Sequence, residues 1–165
     1  MEYILKKIKS RKYIFVFDGG DLVFLDLVQN IRYFRKFFPG SRPRRATETY
    51  PHVKEVEDYL YGKRRDLLGP ISYSSTDFRE SVWELLMKIP YGSTTSYKDL
   101  AEMLGRPKAA RAIGGAVGAN PILFYLPCHR VIQADGTLGG FRGGLGLKKD
   151  LLQMEEGLGP ADGPY

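Results

Sequence analysis

The chain has 165 residues, 43% hydrophobic and 27% charged, enough to bury a core as one domain or two small ones. Its net charge of +6 favours a polyanionic partner. A single cysteine excludes an internal disulfide and any multi-thiolate zinc site, and Cys128, His129 and His52 make a poor metal set, so no metal is expected. No apolar run approaches a membrane span, and the opening MEYILKKIKSRK is too charged for a signal peptide. These features predict a cytoplasmic, nucleoid-associated protein with no membrane partner.

The first third reads as strands: YILKKI, KYIFVF and LVFLDLV, the last two forming a hairpin around Gly19 and Gly20. Asp18, Asp21 and Asp26 are read as turn and strand-end residues rather than as a metal site. RPRR (42–45) and GKRR (62–65) are basic loops, either solvated or phosphate-binding. PHVKEVEDYLYG (51–62) predicts a helix with Pro51 in its first turn, Val53, Val56 and Leu60 on one face, and Gly62 at its stop. GPISYSST (69–76) reads as a linker, which places the boundary near residue 72 and divides the chain into 1–72 and 73–165. Beyond it Asp77 and Glu80 form a capping pair. Phe78, Val82, Leu85, Leu86 and Ile89 then make a buried stripe, ended by Pro90-Tyr91-Gly92.

In TTSYKDLAEMLGRPKAARAIGGAVGANP, Ser96 and Asp99 signal the start of a short helix to about Met103. LGRP makes a turn, Pro107 opens a second helix and Gly118 stops it, which describes a helix-turn-helix. The second helix surrounds Arg111 with small residues, including Ala110, Gly114 and Gly115, and follows Lys108. Such a helix has few groups to read base edges in the major groove. It permits close backbone approach, which suits a minor groove entered by one long side chain. The alternative is tight packing of the Ala/Gly face against another helix with Arg111 merely solvated. Tyr97 is equally open to a reading as half-buried packing.

LFYLPCHRVI (123–132) places the only cysteine beside one of two histidines. Pro127 suits the first position of a helical turn, which would set Cys128 at a backbone N-terminus where free N–H groups lower a thiol's pKa. An unperturbed thiol of pKa about 8.5 is only about 3% ionised at pH 7, so a nucleophilic role needs such help. VIQADGTL predicts a hairpin around Asp135-Gly136, and GGFRGGLG (139–146) a loop that walls a pocket. In the last helix, between Leu145 and Gly157, Leu147, Leu151 and Met154 share one face. Glu156 falls in solvent and Glu155 at the edge of the buried face, where a histidine N–H would partner it. Cys128, His129 and Glu155 then form a relay: Glu155 orients His129, and His129 takes the thiol proton directly or through water.

From Phe78 to Gly157 the chain closely resembles the methylated-DNA–protein-cysteine methyltransferases, the O6-alkylguanine-DNA alkyltransferases. The resemblance rests on Trp83, TSYKDLA, KAARAIGGA, ANP, LPCHRV, the GGF loop and LLQMEE, in that order. It implies an α+β fold: a strand-rich, ribonuclease-H-like N-terminal domain before a mainly helical domain with a winged helix-turn-helix. It implies a monomer without cofactor that acts once on duplex DNA containing O6-alkylguanine, and on O4-alkylthymine. The base is flipped from the minor-groove side and its alkyl group moves irreversibly to Cys128. His129 and Glu155 would activate the thiol, Asn120 would be a hinge, and Tyr97 would hydrogen-bond or protonate the departing guanine. Arg111 would fill the gap in the duplex, within a DNA-binding surface of Tyr97, Lys108, Ala110, Gly114 and Gly115. Leu138, Gly139, Gly140, Phe141, Arg142 and Gly143 would wall the pocket. The chain departs from the pattern at Arg142, where many relatives have a small residue, and at Leu123, where several have a second proline. The competing reading is a DNA-binding lesion sensor that does not turn over.

Overall fold

The structure is a computed structural model in which residues 1–157 are described. The chain forms two compact units: Met1–Tyr73 joined by Pro121–Tyr125, and Ser74–Asn120 joined by the described residues from Leu126 onward. Strand-rich and helical parts therefore follow one another in an α+β fold.

In the first unit β1 (Glu2–Ile8), β2 (Arg11–Asp18) and β3 (Asp21–Leu27) form an antiparallel meander, and β4 (Arg44–Arg45) adds in parallel to β1, giving the order β3-β2-β1-β4. The parallel pairing of β4 with β1 makes the sheet mixed. Tyr13 through Phe17 are buried at every position, so both faces of β2 are covered. On one side α1 (Ile31–Phe37), which the sequence did not announce, inserts Phe34 against Ile14, Val16, Val23 and Phe24. The predicted helix appears as α2 (Pro51–Leu60), which buries Val53, Val56 and Leu60 and lies against β1. Asp26 corrects the reading of strand-end solvation. It is fully buried, and its Oδ1 accepts from the Leu27 N–H at 2.7 Å and Asn30 Nδ2 at 2.9 Å.

The outer edge of β3 is not left open. The Leu22 N–H donates to the Pro70 carbonyl, and the Leu25 N–H to that of Pro121; Ser72 and Leu123 return donors to the Leu22 and Leu25 carbonyls. The Pro121–Tyr125 segment is held further by the Phe124 ring, whose centroid lies 5.8 Å from those of both Tyr13 and Tyr59. Phe124 has φ 72°, a costly conformation for an aromatic residue that dense surroundings must enforce. Tyr125 donates to Glu55 Oε2 at 2.8 Å, and that oxygen also accepts from the Leu68 and Gly69 N–H groups.

In the second unit α3 (Asp77–Met87) buries Val82, Trp83 and Leu86. Its cap is Thr76, one residue before the predicted Asp77, and Glu80 reaches back to the Ser75 N–H. Both Thr76 and Asp77 carry a cap-competent oxygen, and the chain selects the earlier one. β5 (Thr95–Ser96) leads into α4 (Tyr97–Met103) through the expected Ser96/Asp99 capping box. Next comes α5 (Ala110–Gly118), which begins three residues later than Pro107 suggests because the Ala109 N–H closes a turn onto the Arg106 carbonyl. Gly118 is the last helical residue, with Ala119 at the cap in ordinary φ, so the stop does not use glycine's left-handed freedom. Trp83 Nε1 donates to the Ala116 carbonyl at 2.9 Å, fixing α3 against α5. β6 (Val131–Ile132) pairs in parallel with β5, and α6 (Leu145–Glu155) closes the unit. The hairpin expected at Asp135-Gly136 is a turn closed by Gln133 and Thr137, with no second strand among the described residues.

Candidate active site

Cys128 is 5% exposed and opens a single 3-10 turn, Cys128–Arg130. Pro127 precedes that turn at φ −76°, ψ 63°, the shape of an inverse γ-turn, and so the Cys128 N–H is spent on the Leu126 carbonyl at 2.7 Å. The Cys128 N–H, first in the turn, is therefore taken up by the backbone rather than turned to its own thiol. The side-chain amide of Asn120, two residues past the end of α5, reaches the sulfur. Its Nδ2 lies 3.0 Å from Cys128 Sγ and 2.6 Å from the Leu126 carbonyl oxygen. A donor aimed at sulfur favours thiolate over thiol.

Behind the thiol, His129 Nε2 lies 2.8 Å from Glu155 Oε1, both side chains being essentially inaccessible. Since the carboxylate accepts, Nε2 carries the hydrogen and Nδ1 is the basic nitrogen of the neutral ring. Arg130, which the sequence reading passes over, claims the same carboxylate: Nε and Nη2 each donate to it at 2.9 Å, while Nη1 donates to the Ile89 carbonyl at 2.7 Å. Burial holds the His129 pKa below its ordinary value despite the pull of Glu155, and the nearby charges of Arg130 and Lys148 push the same way. Gly92 completes the Glu155 seat. Its N–H donates to Oε2 at 3.3 Å, its φ is +77°, and a Cβ there would stand 3.0 Å from the Glu155 carbonyl oxygen.

Lys148 is a second residue that sequence reasoning misses. It is fully buried within α6, and its ammonium donates to the carbonyls of Val131 and Leu138 and more distantly to that of Gly140. Burial lowers its pKa, while the nearby Cys128 sulfur raises it. Lys148 therefore anchors the first part of the predicted pocket loop beside the thiol. The loop continues through Phe141, whose ring lies so close to Gly143 that a Cβ there would approach it within 2.6 Å. Arg142 then turns back toward α5, donating from Nη1 to the Gly118 carbonyl at 3.0 Å and from Nη2 to the Asn120 carbonyl.

Tyr97 is half-buried at the head of α4 with its ring near both α5 and the loop, where a Cβ added at Gly114 or Gly139 would lie 3.9 or 3.4 Å from it. Burial first, and then the neighbouring Cys128, raise its pKa and keep the phenol protonated. Arg111, Lys108 and Gly115 are exposed and Ala110 is partly so. The small residues of α5 do not all serve helix packing: Ala116 is buried, but a Cβ at Gly115 or Gly118 would meet nothing within 4 Å. Next to the start of α4 lies a cavity of about 360 Å³ lined by Thr94, Thr95, Ser96, Lys98, Asp99 and Gln133 among others, a donor-rich hollow whose one carboxylate, Asp99, accepts from the Ser96 N–H, and which sequence patterning does not single out.

The second unit thus gathers a buried thiol with an amide donor, a histidine–carboxylate pair and a helix with an exposed small-residue side. The family profile described as 6-O-methylguanine DNA methyltransferase, DNA binding domain, matches residues 77–157. The inducible methylated-DNA–protein-cysteine methyltransferase of Bacillus subtilis is 46% identical over 123 residues, covering 74% of this chain and 69% of that protein. A crystal structure of Mycobacterium tuberculosis OGT in complex with DNA is similar at TM-score 0.86 and 32% identity, covering 98% of this chain and 97% of that one. O6-methylguanine-DNA methyltransferase from Pyrococcus kodakaraensis is similar at TM-score 0.72 and 25% identity, covering 93% and 98%. The chain belongs to the methylated-DNA–protein-cysteine methyltransferase family.

Proposed function

We propose that this protein repairs O6-alkylguanine in double-stranded DNA by moving the alkyl group, once and irreversibly, to Cys128. The observation that carries the proposal is the thiol held at 3.0 Å by Asn120, beside a neutral His129 bonded to Glu155. α4, α5 and the Gln133–Thr137 turn serve as a winged helix-turn-helix. The exposed glycine side of α5 enters the minor groove with Arg111 filling the space of the extruded base, and Lys108 and Ala110 flank it. The donor-rich hollow at the head of α4 seats backbone phosphates. The N-terminal unit is ribonuclease-H-like, a reading supported by the order β3-β2-β1-β4 with β4 parallel to β1.

In the transfer, the thiol proton passes toward His129 Nδ1 and the thiolate attacks the alkyl carbon in line. A sulfur–carbon bond forms as the carbon–oxygen bond breaks, with its electron pair going to the base. Tyr97, held protonated, donates a hydrogen bond to the departing guanine. Leu138 to Phe141 and Gly143 wall the pocket, while the Arg142 guanidinium turns to the end of α5, and the same site accepts O4-alkylthymine. The product is a thioether on a monomeric protein that needs no cofactor.

The test is peptide mass after mixing with a duplex bearing one O6-methylguanine. A gain of about 14 Da on the Cys128 peptide, saturating at one methyl per chain, is expected for covalent single-turnover transfer. Lesion binding with no mass gain overturns it in favour of a sensor.

A further inference from the structure

We infer that Arg142 is a positioning residue that makes transfer from duplex DNA depend on the seating of α5. The inference rests on the alkyl transfer proposed above. Sequence places this residue in the pocket wall, but its guanidinium is committed elsewhere. It spans from the pocket loop to the C-terminal end of α5, donating to the Gly118 carbonyl at 3.0 Å and to the Asn120 carbonyl. The last carbonyls of a helix lack partners within it and carry the negative end of its dipole, so a forked cation suits this place. A lysine ammonium, a point charge on a flexible stem, does not match the two carbonyls as well.

Asn120 gives this contact its consequence. Its backbone carbonyl is held by Arg142, while its side-chain amide donates to Cys128 Sγ at 3.0 Å and to the Leu126 carbonyl. One residue thus joins three parts of the same unit: the end of the helix exposed for DNA, the loop over the pocket, and the acceptor sulfur. Lys148 pins the earlier part of that loop at Leu138 and Gly140, and Arg142 pins the later part. With the guanidinium gone, α5 still presents Arg111 and its glycine side to a duplex, and the Asn120 N–H still bonds the Val117 carbonyl, but the pocket loop is no longer tied to the helix end that carries the sulfur-orienting amide.

The experiment compares single-turnover transfer from an O6-methylguanine duplex with transfer from free O6-benzylguanine, alongside duplex affinity, for wild type, Arg142→Ala and Arg142→Lys. The expected result for Arg142→Ala is duplex affinity within about three-fold of wild type and a fall of at least ten-fold in the duplex transfer rate. The ratio of duplex to free-base rates falls at least five-fold, because a free base never engages α5. Arg142→Lys recovers part of that ratio, and its ratio alone decides the question if the alanine variant does not fold. Equal falls on both substrates, or a ratio unchanged from wild type, overturn the inference while leaving the alkyl transfer intact. Wild type that transfers from neither substrate removes both.

Discussion

His129 shares its acceptor with Arg130, and this alters the relay that the sequence suggests. Glu155 meets one imidazole N–H and two guanidinium N–H groups, so its charge is already matched before the histidine is protonated. Combined with full burial, that favours a neutral imidazole, with a pKa below the ordinary value. The folded state therefore resists the proton that an unfolded histidine accepts near pH 6.5. Stability from this site is complete above that pH and declines below it, by up to about 1.4 kcal/mol per pH unit until the folded pKa is reached. Chemical denaturation at pH 7 and pH 5.5 is expected to show such a loss, and His129→Asn to flatten it; an unchanged slope in the variant would refute the assignment. Cys128, His129 and Glu155 were legible because adjacency and the helical wheel are local signals. Arg130 and Lys148 were not, because a long cation in sequence reads as solvated. Their burial comes from Glu155 and from loop carbonyls that the fold alone brings near.

The capping box of α4 and the stripes of α2 and α3 were readable because caps and 3.6-residue periodicity act within a few positions. The short α1 escaped because IRYFRKF buries only Phe34 and its preceding Asn30 makes no side-chain cap, leaving tertiary packing to define the helix. The start of α5 was misplaced because proline is as suited to the turn before a helix as to its first residue. For the same helix, composition left two readings open that exposure helps separate. Gly115 has open space where a side chain would project, so nothing in the fold requires glycine there. Gly115→Leu is expected to raise stability by about 0.7 kcal/mol through helix propensity. It should weaken duplex affinity at least five-fold by blocking close approach. A melting curve and a DNA titration together decide this, and a variant that gains stability without losing affinity would remove α5 from the interface.

For the whole molecule, a single cut near residue 72 describes only part of how the chain is divided. The first unit is completed by Pro121–Tyr125, five residues that follow α5 and precede the Cys128 turn. No local pattern announced this, since an apolar run before a proline looks alike in any core. A fragment covering residues 1–76 keeps Pro70 against Leu22 but loses Pro121 and Leu123 from Leu25, and with them Phe124 from between Tyr13 and Tyr59. Such a fragment is expected to self-associate through the bared β3 edge, as seen by sedimentation, and a monomeric, cooperatively melting fragment would contradict this. The same feature orders events at the ribosome. Synthesis delivers the N-terminal residues first, yet their sheet stays unsealed until some fifty further residues have emerged. By then the entire segment from α3 through α5 has been translated, so the first unit gains its last sheet partner only after the helices of the next have left the ribosome.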